Sequence, residues 1–153
     1  MFKMKRPSVL ALLTLLNLSF VLGKSVHFLD CGSKKSSVSQ VIITPCQAEP
    51  CQLKKGLNES VEVIFKPTEV VTSTKVVVHG IFFVPVPFPV PQPDGCKEHG
   101  LDCPLKPNRE YTFKAMLPIK KAYPDIKLDV KCELLDQNGI PIFCFKLPVQ
   151  IVG

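Results

Sequence analysis

Val84 to Pro93 reads V-P-V-P-F-P-V-P-Q-P, with proline at every second position from Pro85 to Pro93. Proline fixes φ and has no backbone donor, so this run is extended and cannot lie in the middle of a sheet. It is an edge strand or a polyproline-like rod. With a β period of two, the prolines face one way and Val84, Val86, Phe88 and Val90 the other, which makes a stiff rail with one apolar side. Such a rail loses little entropy on meeting a ligand, and a rigid, water-averse lip suits the rim of an apolar cavity. A plain structural edge and a stiff linker are the simpler alternatives. A ligand for a proline-reading domain is disfavoured by the spacing, because prolines two apart give no P-x-x-P within the run.

Outward from the rail, the chain reads as strands and turns. Lys75 to Val84 is a long strand leading into it, and the polar stretch from Gln92 to Arg109 is a loop. Glu110 to Leu117 places Tyr111, Phe113, Ala115 and Leu117 on one face, and Ser60 to Phe65 alternates in the same way. Ser25 to Asp30 and Val38 to Thr44 precede them. Ile126 to Leu135 and Ile140 to Val152 form a closing hairpin about Asn138-Gly139. The expected fold is all-β: an immunoglobulin-like β-sandwich of about seven strands with an apolar cavity between its sheets. There is no convincing helical stretch, internal repeat or internal domain boundary.

Lys3, Lys5 and Arg6, an apolar run from Val9 to Leu22 and then Gly23 predict a signal peptide over 1–23 and one exported domain over 24–153. Losing those three basic residues takes the formal charge from +6 to +3, which argues against nucleic acid as a partner. Seven cysteines in an exported chain predict a disulfide framework with one thiol left over. Six paired cysteines allow 15 connectivities, and seven choices of the odd one raise this to 105. Cys46 with Cys51 and Cys96 with Cys103 each bracket a short loop and can close locally. A two-residue turn at Asn138-Gly139 would set Cys132 opposite Phe145 and Glu133 opposite Cys144, so Cys132 and Cys144 fall on opposite faces. Cys132 also shares the face of Ile126, Leu128, Val130 and Leu134. The expected long-range bond is therefore Cys31 to Cys144, with Cys132 buried and free.

The common catalytic signatures G-x-S-x-G and H-E-x-x-H are absent, as is a glycine-rich phosphate loop, so the chain reads as non-enzymatic with no cofactor. His79 reads as structural and His27 has no evident partner. His99 between Cys96 and Cys103 hints at zinc, but an exported chain with no fourth ligand favours a disulfide over a metal. Asp125 and Asp129 read as solvated charges. The doublets Lys34-Lys35, Lys54-Lys55 and Lys120-Lys121 are solubilising surface or a loose contact with anionic lipid. Asn58-Glu59-Ser60 is an N-glycosylation sequon. Leu117-Pro118-Ile119 and Tyr123 form a second apolar cluster, set across the mouth of the gap from Phe88 or packed beneath a loop.

Several motifs agree in order and spacing with one family. D-C-G-S at Asp30 to Ser33, P-C-x-x-x-P-C-Q-L at Pro45 to Leu53, V-V-H-G-I at Val77 to Ile81, the rail with its D-G-C at Asp94 to Cys96, L-P-I-K-x-x-Y-P at Leu117 to Pro124, and F-C-x-x-x-P-V-Q-I-V at Phe143 to Val152 resemble the sterol-transfer members of the MD-2-related lipid-recognition family. The resemblance spans essentially the whole chain after the leader. It implies a soluble, secreted or lysosome-lumen carrier, monomeric, that takes cholesterol or a related sterol between its sheets. It would pass the sterol to a lysosomal or endosomal membrane bearing anionic lipid, or to a membrane sterol acceptor protein. Sterol contacts implied position by position are Phe88, Ile119 and Tyr123, with Val86, Phe113, Leu117 and Pro118 behind them. The implied disulfides are Cys31 to Cys144, Cys46 to Cys51 and Cys96 to Cys103. Cys132 departs from the pattern, since the similar proteins carry a large aromatic there. A lipid-presenting co-receptor of the same fold is the rival reading, ahead of a secreted hydrolase.

Overall fold

A computed structural model describes residues 22–153; the expected signal peptide lies almost wholly outside them. Ten strands form two facing sheets. The first sheet runs β1 (Lys24–Ser25), β3 (Ser36–Thr44), β5 (Asn58–Pro67), β8 (Tyr111–Pro118). The second runs β2 (Leu29–Asp30), β10 (Pro141–Val152), β9 (Lys127–Leu135), β6 (Lys75–Phe82), β7 (Val84–Phe88), and β4 (Cys51–Lys54) pairs in parallel with the far end of β10. Every other pairing between these strands is antiparallel. No helix occurs among the described residues, and none is long and apolar enough to cross a membrane. The architecture is the expected all-β sandwich.

Inward residues follow the period of two. Val61, Val63 and Phe65 on β5 and Phe113, Ala115 and Leu117 on β8 are buried, facing Phe143, Phe145, Leu147 and Val149 of β10. Phe143 packs edge-on to Phe65 at 5.3 Å and to Phe113 at 5.9 Å, and Phe145 continues the cluster at 5.9 Å. Four buried rings close this part of the interior.

Three local departures from the sequence reading have physical causes. Ser25 to Asp30 is not one strand: Val26 turns inward, and the segment gives β1 to one sheet and β2 to the other, as a chain crossing a sandwich edge must. Lys75 to Val84 does not run straight into the rail. It folds back at Phe83, whose φ is +64°, and Phe82 pairs with Val84. The turn about Asn138-Gly139 has three residues, because Asp136 N–H bonds Ile140 O and Gly139 takes φ +73°. A bulge between Pro141 and Phe143 then shifts the ladder by one, so Cys132 still stands opposite Phe145 and Glu133 opposite Cys144.

That register turns Cys144 outward, where it bonds Cys31, and Cys132 inward. Cys46–Cys51 and Cys96–Cys103 close their own loops. The Cys31–Cys144 bond spans 113 residues and in the chain-entropy picture contributes about 4 to 5 kcal/mol. Burial, with Glu133 adding to it, pushes the Cys132 thiol up to about 12. A thiol reagent such as dithionitrobenzoate should titrate nothing in the native chain and one thiol after unfolding without reductant. Rapid native labelling would show that Cys132 is reached by solvent.

Candidate functional site

Beside the four rings the two sheets pack less completely. The inward side chains there are mostly aliphatic, and they enclose a cavity of about 40 Å³. Val61, Ala115, Leu117 and Ile119 form the wall on the first sheet's side. Val76, Val78, Val130, Cys132, Leu147 and Val149 form the other, with Leu53 and Ile43 at the margin and Phe88 on the edge strand. The space would hold two or three waters but is far below the ~300 Å³ of an ordinary small-molecule site. A lipid enters only if the walls part.

Parting is easiest at β7. Among the described residues this edge strand pairs with β6 alone, Val78 opposite Phe88 and Gly80 opposite Val86. Every second residue of an antiparallel strand turns its N–H away from its neighbour, and proline costs no ladder bond at those positions. The prolines therefore close the sheet to further pairing. Across the gap, Phe88 meets the Tyr123 ring at 5.3 Å. Tyr123 sits in the loop after β8, where Ile119 exchanges backbone bonds with Gly56 and Leu57.

The seven candidate contacts separate into two groups. Phe88, Phe113, Leu117 and Ile119 line the cavity. Tyr123 is outside the lining, its ring tilted against Phe88, Pro118 is half-buried opposite Asn58, and Val86 is 55% exposed beyond the cavity. Val86 belongs to an apolar tip with Phe82, Phe83 and Val84, on which Phe83 is 93% exposed. Asn58 opens β5, two residues ahead of the strand start read at Ser60, and its side chain is exposed.

Several of the remaining polar candidates have structural partners. His99 is buried against Phe113 at 4.8 Å, and its ring nitrogens face the carbonyl oxygens of Lys114 and Gln92 at 2.6 and 2.7 Å. His27, without a partner on sequence grounds, meets the Glu49 carboxylate at 2.8 Å. Lys35 pairs with Glu69 and Asp136, and Lys55 with Asp125. Lys120 and Lys121 are exposed, with no ion pair among the described residues.

Sequence reasoning missed Glu59. It lies opposite Leu117, inward like Val61 and Val63, 2% exposed, and neither carboxyl oxygen has a hydrogen-bond partner. The signal was present: counting back two from Val61 lands on Glu59, but a strand begun at Ser60 leaves it in the sequon. Desolvation pushes this carboxyl up to about 7, and the Lys54 backbone amide, the one group that approaches it, acts the other way. Burial also raises Tyr123, whose Oη has no partner.

Residues 25–151 match the ML domain family. A Canis lupus familiaris protein named NPC intracellular cholesterol transporter 2 is 46% identical over 132 residues, covering 86% of this chain and 88% of its own. Its Danio rerio namesake is 44% identical over 146 residues, covering 95% and 97%. The crystal structure of a Niemann-Pick type C2 protein from the Japanese carpenter ant superposes with a TM-score of 0.78 at 32% identity, covering 83% of this chain and all of that one.

Glu59 fixes a pH dependence. Its folded-state pKa lies above the ordinary 4.5, so the folded chain holds a proton that the unfolded chain has released between about 4.5 and 7. Stability therefore falls as pH rises through that window, by on the order of 3 kcal/mol in all. Asp30 is lowered chiefly by the Ser33 hydroxyl and Glu49 by His27. Burial of Asp136 opposes ionisation but is outweighed by the Ile140 amide and Lys35. Those three act in the opposite sense, losing stability as pH falls through values at or below their ordinary 3.8 to 4.5. Thermal melts should show Tm dropping from pH 5 to pH 8, and Glu59→Gln should flatten the profile. An unchanged slope in the variant would mean that the carboxyl is hydrated in the folded chain.

Proposed function

Because this chain belongs to the ML domain family, we propose that it is a non-enzymatic sterol carrier, a soluble monomer of the secretory route and lysosome lumen. One observation carries the reading: an apolar cavity between the sheets whose entrance is a single edge strand. Relatives bearing the name of a cholesterol transporter support sterol as the cargo. Removing roughly 400 Å² of apolar ligand surface from water contributes about 10 kcal/mol gross at ~25 cal/mol per Å². Lost motion and the separation of the walls take back several kcal/mol, leaving reversible binding in roughly the micromolar to nanomolar range.

Delivery follows from what stands beside the entrance. The β6–β7 turn puts Phe82, Phe83 and Val84 into solvent, and β7 runs from it to Phe88, about 16 Å from Phe83 along the chain. An exposed aromatic tip favours partition into a membrane interface, and the free Lys120 and Lys121 beside Tyr123 favour anionic headgroups. Contact there lets β7 and the Ile119 to Tyr123 loop separate with the mouth facing lipid or a membrane sterol acceptor protein.

Phe88→Ala should weaken sterol binding at least tenfold, read by fluorescent-sterol titration, while circular dichroism stays unchanged; normal binding would remove Phe88 from the site. Phe83→Ser should leave binding intact but slow movement of sterol between anionic vesicles several-fold. Equal transfer by the variant would take the tip out of the mechanism.

A further inference from the structure

The buried His99 ring lies between the proline rail and the first sheet. Past Phe88 the rail leaves β7, and Val90, Pro91 and Gln92 border an outer hollow together with Ser60, Lys114 and Met116 of the first sheet. It then returns to β6, where Val76 N–H donates to Pro93 O at 2.8 Å. Between those points His99 Nε2 stands 2.7 Å from Gln92 O and Nδ1 stands 2.6 Å from Lys114 O, while His99 O accepts from Lys114 N–H. Among the described residues no other side-chain hydrogen bond joins the rail to β8.

Both partners of the ring are carbonyl oxygens, which only accept, so both ring nitrogens must donate. A neutral imidazole has one N–H, and its other nitrogen would set a lone pair against a carbonyl lone pair at hydrogen-bond distance. The ring also stacks on Phe113, with planes 24° apart, so a positive charge there meets an aromatic face as well. We propose that His99 carries two protons and clamps the rail to β8, a positioning residue that keeps Phe88 at the cavity and lets the rail go when one proton is lost. This deepens the carrier reading and rests on it. Histidine is the side chain that changes charge between acidic and neutral pH. The charged groups on the elements around it are Lys97, Glu98 and Asp102 in its own loop, Lys114 on β8 and Glu62 on β5. Lys97 pairs with Asp94 and Lys114 with Glu62, and none of these side chains hydrogen-bonds the ring. A clamped rail keeps a bound sterol in place; a freed one lets it leave faster.

Two measurements test the clamp. Nitrogen-15 spectra of histidine-labelled wild type need no variant, and ring-proton contacts with Phe113 identify the His99 signals. They should show both ring nitrogens protonated at pH 5.5 and one bare at pH 8; a single N–H at pH 5.5 would overturn the clamp. Stopped-flow release of dehydroergosterol should be at least fivefold faster at pH 8 than at pH 5.5. His99→Gln, whose amide can donate to one carbonyl but not to the other, should release at the fast rate at both pH values. Glu59→Gln should keep the pH step, which separates the clamp from titration of the cavity wall. A step that survives in His99→Gln, or its absence from wild type, would overturn the clamp while leaving a carrier. Failure of the sterol to bind any of these proteins at either pH would overturn the carrier reading and the clamp's part in it.

Discussion

Phe143 is wedged between Phe65 and Phe113, and that contact sets how closely the two sheets can approach. Rings span the roughly 10 Å between sandwich layers; valine, alanine and cysteine do not. The same spacing that packs the aromatic region leaves a gap where Val61, Ala115, Val78 and Cys132 face one another. Leaving 40 Å³ empty costs about 1 kcal/mol at ~24 cal/mol per Å³, little against the gross gain from burying a sterol.

Widening the gap needs one wall that yields without unfolding the rest. β10 is held by β9 on one side, by β2 and β4 on the other, and by a disulfide at Cys144. Among the described residues β7 has β6 and no other strand. Alternating prolines keep β7 extended while closing its free edge, which lets an unsupported apolar strand exist in solution without pairing with another molecule. Rigidity along the strand and weak attachment across it are both needed in a lip that opens.

Polar groups are treated differently in different parts of the molecule. Asp136 is buried, but two backbone amides and Lys35 meet it, and His99 faces two carbonyl oxygens. Glu59 and Tyr123, at the cavity and its entrance, hold oxygens that the protein leaves unmet. Unsatisfied buried groups are rare in folded chains.

The period of two at Ser60 to Phe65 and Glu110 to Leu117, the proline alternation and the Asn138-Gly139 turn determined the fold class, because strand pleat and turn chemistry are local properties. They also reached part of the candidate site, since Phe113 and Leu117 follow from alternation and Phe88 from the rail. Tertiary structure alone decided the rest. Whether Phe83 continues a strand or reverses it depends on what β6 and β7 pair with. Val86 and Phe88 share a face and a residue class, yet only Phe88 has a second sheet opposite it. Glu59 became a wall of the cavity because β5 extends two residues past its obvious hydrophobic start to pair with β8. The void itself is a difference between the volumes of side chains brought together from eight strands, and no single stretch of sequence contains that sum.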